Sequence, residues 1–428
     1  MSLLLPMPRL LPPPVPRVGE SLKYVISEDA SPTASASVLV CGDWAPVREF
    51  SQAHSVAPEQ LYGHILPHIR GADLSLVNLE LPLASDQPLF KDGPAFAGDP
   101  RFAQALTDAG FHGVTMGNNH VRDQGDRAVA TTLRGCADAG LLHVGAGVDR
   151  EQALAPLIVT RNGLRIGILA CTDPSDATAT ATHGGAADIN DPALPLVMQQ
   201  LRQQVDTIIV VAHGGLEYSP YPPPYWWDRL VSLVAYGADA VVAHHPHIPQ
   251  GMNLVPRHGQ SPAPILWSLG NFIFPPREAD ALKPPYMHLG FTAGLEIGPG
   301  CVHSLSLTPY HINNGQGLEA LGAAGVERCA RMIATLSAPS CDRIAFADTF
   351  AQVALRLWEA MGRERVAGLT AKLCAGESAG FQHGQAHFVN PSHYAVYADA
   401  IAALIAQVPM DREAQEAIEG WYAGTWPR

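Results

Sequence analysis

Seven short apolar runs, each ending in polar or glycine-rich residues, constrain the fold of this chain more than any other feature. They are SVLVC (37 to 41), LSLVN (74 to 78), GVTM (113 to 116), LRIGILAC (164 to 171), TIIVVA (207 to 212), ADAVVA (238 to 243) and APILWSLG (263 to 270). Runs this continuous are strands covered on both faces. Segments with helical spacing lie between them, at 57 to 70, 100 to 109, 126 to 140, 193 to 204 and 226 to 237. Strand alternating with helix predicts an α/β fold with helices layered over sheet. GFTAGLEI (290 to 297) and VHSLSLT (302 to 308) follow one another with no helix between, which predicts that part of the sheet is antiparallel.

Three regions are expected. Residues 1–34 form a Pro-rich N-terminal arm, disordered over its first twenty or so residues. Residues 35–315 carry the strands, and residues 316–428 form a helical extension whose apolar residues recur at three- and four-residue spacing. The apolar start, MSLLLPMPRLLPPPVP, is broken by prolines too early for a signal peptide, and nowhere do eighteen uncharged apolar residues run together. No membrane span and a cytoplasmic location are therefore expected.

Composition narrows the partners. The net charge is −13 with only 16% charged residues, so nothing electrostatic favours nucleic acid or an anionic membrane. Small molecules are the expected ligands. Seven cysteines without a tight spacing pattern read as reduced thiols rather than a disulfide framework.

The chemistry lies at the far end of five of these strands: GD (Gly42, Asp43), NLE (Asn78, Glu80), GNNHVRDQG (Asn118, Asn119, His120, Asp123), HGGLEY (His213, Glu217, Tyr218) and HHPH (His244, His245, His247). In layered α/β folds the carboxyl ends of strands converge on one rim, where ligand sites assemble. Imidazole and carboxylate gathered there suit a divalent Mn, Zn or Fe ion. An H-x-H pair on extended backbone can aim both rings to one side.

The ordered set GD, NLE, NNHxxDxG, HGGxEY, HHPH and SLGNF (268 to 272) over residues 36 to 310 resembles the CapA family of capsule and poly-γ-glutamate synthesis, itself similar to calcineurin-like metallophosphoesterases. The resemblance implies a four-layer αββα sandwich around one or two divalent metals. It makes Asp43 and His247 ligands of a first ion and Glu80 the bridging carboxylate. Asn119, His213 and His245 would hold the second ion. His120 would protonate a leaving group and Asp123 would orient it. His244 is then the spare imidazole. Arg48, Asn118, Glu217, Tyr218 and Asn271 are the expected substrate contacts. Two departures stand out: Ala45 replaces the histidine of the usual D-x-H, which should weaken the first metal site, and Ala97 stands where the family often has arginine.

The expected activity is hydrolysis of a phosphoester or γ-glutamyl amide, on a small anionic or polymeric substrate. Two rivals compete with it. GESAG (376 to 380) fits the G-x-S-x-G pattern and would make Ser378 a nucleophile, but the segment before it reads as helix where a strand is needed. A binding protein that keeps the fold without turnover is the other, and Ala45 is its best support.

Overall fold

The computed structural model describes residues 8–27, 34–89, 91, 93–276, 283–375 and 391–425. Two large sheets face one another. The first has nine strands, with Ala36–Trp44, Leu74–Leu79, Gly113–Thr115 and Leu142–Val144 running parallel on one side. Leu289–Gly298, Cys301–Asn313 and Leu22–Val25 are antiparallel on the other side. The second sheet has six strands: Leu164–Thr172, Thr207–His213, Ala240–His244 and Gln260–Leu266 form its parallel centre, and Leu157–Arg161 and Met252–Arg257 its antiparallel edges.

The layering follows from strand alternation, which sends successive side chains to opposite faces. Val38, Val40, Leu74 and Leu76 meet Ile166, Ile168, Ile209 and Val211 between the sheets. Their neighbours Leu39, Cys41, Val77 and Leu79 lie under the helices carrying Leu61, Leu106 and Leu133. On the far side Val210, Ala212, Val241 and Ala243 are covered by Met198, Trp226 and Leu230. The result is an α/β sandwich with helices on both outer faces, as expected from the continuous apolar runs.

Three stretches differ from expectation. Residues 8–27 are not a disordered arm. Leu10 is buried, Leu11 bridges to Leu254, and LKYV pairs with the Cys301–Asn313 strand, alternately burying Leu22 and Tyr24. The strand expected through residue 270 ends at Leu266, freeing Ser268 to Asn271 to turn toward the site. GLEA, expected as helix, is the strand Gly317–Ala320 paired with Tyr310 to Asn313, and helices begin at Ala323.

Close backbone approach places the site. A β-bulge interrupts pairing between Cys41 and Asp43, and Phe272 N–H donates to the Asp43 carbonyl over 2.8 Å. A Cβ on Gly42 would lie 2.3 Å from the Gly270 carbonyl oxygen. Backbone must therefore move in Gly42→Ala, so the variant should lose about 2 kcal/mol or more, read as a lower melting temperature together with reduced Mn content.

Candidate metal centre

Parallel strands from both sheets end at one rim, and their terminal residues converge. Asp43 is the last residue but one of the Ala36–Trp44 strand, and Asn78 Nδ2 donates to its Oδ1 over 2.8 Å. The His245 N–H points at Asp43 Oδ2 (3.3 Å), and His247 Nδ1 lies 3.7 Å from the same oxygen. His213 Nε2 is 2.9 Å from Asn119 Oδ1, 3.2 Å from His245 Nδ1 and 3.3 Å from Glu80 Oε1. Two sets thus form, Asp43 with Glu80 and His247, and Glu80 with His213 and His245, the ligand atoms of each lying within 4.8 Å of one another. Glu80 is common to both.

The electrostatics suit a cation. Both Glu80 oxygens are buried and accept no hydrogen bond, an arrangement that costs several kcal/mol unless something else satisfies the charge. Burial raises the Asp43 and Glu80 carboxyls, and the Glu80 charge adds to the effect on Asp43. Burial pulls His213 down to about 3 and His245 well below its ordinary value, leaving neutral imidazoles, the form that ligates metal. For His247 burial also acts downward, but Glu80, Glu217 and Asp43 outweigh it and raise the ring. An acceptor-rich pocket of buried carboxylates, an amide oxygen and neutral imidazoles fits a divalent ion of the Mn, Zn or Fe type.

Strain marks the same place. Among the described residues six non-glycine residues have positive φ, and four of them, Arg48, Tyr218, His245 and His247, belong to this rim. Backbone held in so unfavourable a region is a frequent property of functional sites.

Beside the metal cluster, His120 Nδ1 lies 2.7 Å from Asp123 Oδ2. Asp123 also accepts the Phe96 N–H and pairs with Lys91. Burial would raise Asp123, but His120 and Lys91 hold it below the ordinary carboxylate range. His120 lines a cleft with Arg48, Glu217, Tyr218, His247 and Asn271, walled by Phe96, Phe274 and Met287. With Nδ1 tied to Asp123, Nε2 is the ring atom left to serve the cleft.

Four of the five expected substrate contacts therefore line the cleft. Arg48 reaches the Pro275 carbonyl at 2.6 Å, Glu217 and Tyr218 open from the rim, and Asn271 Oδ1 also sits 2.9 Å from His247 Nδ1. Asn118 does not reach it. Buried completely, it donates to Asn78 Oδ1 and the Leu79 carbonyl and accepts the His120 N–H, so it holds the loop in place. His244 is buried with neither ring nitrogen hydrogen-bonded, its Nδ1 3.6 Å from Asp43 Oδ1.

Sequence reading assigns no role to Asn78, Lys91 or Asp173. Asn78 stands inside the NLE motif and is findable there; a lone lysine in a loop carries no pattern. Asp173, one residue past the Leu164–Thr172 strand, accepts from the Tyr225 hydroxyl (2.6 Å) and the Gly215 N–H (3.1 Å) and so supports the loop leading to Glu217. Burial raises its carboxyl to about 6. Between about pH 4 and 6 the unfolded chain ionises while the folded one keeps its proton, so stability falls as pH rises through that window. Asp173→Asn should flatten this dependence and melt higher than the parent at pH 8, by on the order of 2 kcal/mol, with the two equal at pH 4.

The sequence profile described as "Bacterial capsule synthesis protein PGA_cap" matches residues 37–276. Over 226 residues the chain is 27% identical to "Capsule biosynthesis protein CapA" of Bacillus anthracis, covering 50% of this chain and 54% of that protein. Over 267 residues it is 26% identical to "PGA biosynthesis protein CapA" of Bacillus subtilis (strain 168), covering 59% and 67%. The chain thus spans about half the length of the first relative and two thirds of the second. Among solved structures, a 5'-nucleotidase precursor from Thermus thermophilus superposes with a TM-score of 0.38 at 15% identity, over 69% of this chain and 58% of that one. With the profile matched across more than half its length, the chain belongs to the PGA_cap family of bacterial capsule synthesis proteins.

Proposed function

We propose that this chain is a metal-dependent hydrolase of the capsule and poly-γ-glutamate type, cleaving a phosphoester or a γ-glutamyl amide. The observation that carries the reading is Glu80, a buried carboxylate with both oxygens unsatisfied between two sets of ligand-type side chains. Asp43, Glu80 and His247 would hold one ion, and Glu80, Asn119, His213 and His245 a second. When bound, a divalent cation polarises the acceptor group and makes water acidic enough to attack near neutral pH.

The protein's own groups supply the rest. Arg48 attracts an anionic group to the cleft mouth, and the aromatic walls exclude water around it. His120 hands its proton to the departing oxygen or nitrogen, while ionised Asp123 fixes the ring. Lys91 in turn keeps Asp123 ionised.

The supporting experiment is metal analysis of purified protein, with p-nitrophenyl phosphate and γ-glutamyl peptides assayed under Mn, Zn and chelator. Metal-dependent turnover of either supports hydrolysis. Stoichiometric metal with no turnover favours the second reading, a polymer-binding or synthetase-partner protein, for which the observation is Ala45, buried two residues beyond Asp43 where an imidazole would complete the first set. A serine mechanism at Ser378 concerns a position outside the described residues. Among the described residues no helix is long and apolar enough to cross a membrane and no disulfide joins the cysteines, of which Cys41, Cys136, Cys171 and Cys329 are buried. A reducing, cytoplasmic setting belongs to the same reading. So does the division into an N-terminal arm, a metal-binding sandwich and a helical extension.

A further inference from the structure

We propose that the C-terminal helices, beyond the family-matched region, are a working part of the site: Trp421 braces the cleft's rim and positions the residues that meet the ligand. Two segments border the cleft, one carrying Glu217 and Tyr218 and the other ending at Met287. Helix Arg412–Tyr422 touches both. Trp421, 1% exposed, stacks on Tyr286 with centroids 4.3 Å apart and 28° between planes. Tyr286 is the residue before Met287, and two residues after the helix a Cβ on Gly424 would meet Pro285 at 2.3 Å. On its other side, Ile418 and Trp421 border a small apolar cavity with Pro220 and Tyr221, just past Tyr218.

The helix is itself held firmly. Asp411 caps it by accepting the Ala414 N–H, and the Arg356 guanidinium lies 3.9 Å over the Tyr422 ring while pairing with Glu419 at 2.7 Å. A second helix, Pro391–Ile405, adds Val396 and Ala400 to the apolar cluster on which Tyr218 and Tyr221 pack. A rim loop rich in proline and aromatics gains little rigidity from backbone pairing of its own, so packing from outside decides how sharply its side chains are placed.

The test uses the full chain carrying Trp421→Ala or Trp421→Phe, followed by hydrogen–deuterium exchange without ligand. Peptides covering 217–223 and 284–289 should exchange roughly tenfold faster in Trp421→Ala, near the parent rate in Trp421→Phe, and strands Ala36–Trp44 and Thr207–His213 should not change. Rim peptides at the parent rate, or faster exchange throughout the molecule, would overturn the proposal. Its consequence for ligands rests on the hydrolase reading: the Mn-loaded Trp421→Ala protein should bind inorganic phosphate about tenfold more weakly at unchanged Mn content. Parent protein that binds Mn but no phosphate would count against that reading and leave the exchange result to decide the brace.

Discussion

Glu80→Gln will lose divalent metal and, with it, activity. Removing even an outer partner of a metal ligand costs roughly 10- to 100-fold in affinity, and Glu80 is the one residue common to both ligand sets, so a loss beyond about 100-fold in Mn affinity is expected. The same substitution should have opposite effects on stability with and without metal. In chelator, the raised carboxyl of Glu80 keeps its proton in the folded state at pH values where the unfolded chain has released it. Parent stability then falls as pH rises above the ordinary carboxylate value of about 4.3. The glutamine variant escapes that fall and should melt at or above the parent at pH 8. In excess Mn the order reverses, because only the parent gains from ligand binding. Melting curves under the two conditions check both halves, and a variant that melts below the parent in chelator would show that Glu80 is satisfied without an ion.

The second large effect concerns proton delivery. His120→Asn should retain metal, since its ring belongs to neither ligand set, yet lower turnover of a phenyl or alkyl phosphate by about 10² to 10³. With p-nitrophenyl phosphate, whose leaving group needs little protonation, the loss should be about tenfold or less. Equal losses on both substrates would remove His120 from the acid role and leave it a structural neighbour of Phe96, whose ring lies 4.5 Å away.

Much of this is legible in the residues themselves. Continuous apolar strands require cover on both faces, which is why two stacked sheets with outer helices can be read from SVLVC, TIIVVA and their companions. Strand-end residues can be grouped because parallel strands present their carboxyl ends together, and Asp43, Glu80, Asn119, His213, His245 and His247 do converge. The hidden parts have physical causes. LKYV is four residues long and follows a Pro-rich stretch, and its pairing with Cys301–Asn313 is decided by tertiary contact rather than local preference. Asn118 reads as a substrate contact because it precedes Asn119 in one motif; only the hydrogen-bond accounting separates an amide that holds a loop from one that faces a cleft. The positive φ at His245 and His247 arises where HHPH leaves its strand, and no glycine within that motif signals it. Phe96, Phe274 and Met287 wall the cleft from three separate segments, and nothing in a linear apolar pattern joins them.

One measurement bears most directly on the claim that this rim gathers a cation: diffraction from crystals grown with Mn, collected at the manganese absorption edge. An anomalous peak seated among Glu80, His213 and His245, with or without a second beside Asp43 and His247, is the predicted result. Well-ordered Glu80 with no peak near it, its oxygens instead bonded to protein groups or water, would contradict it.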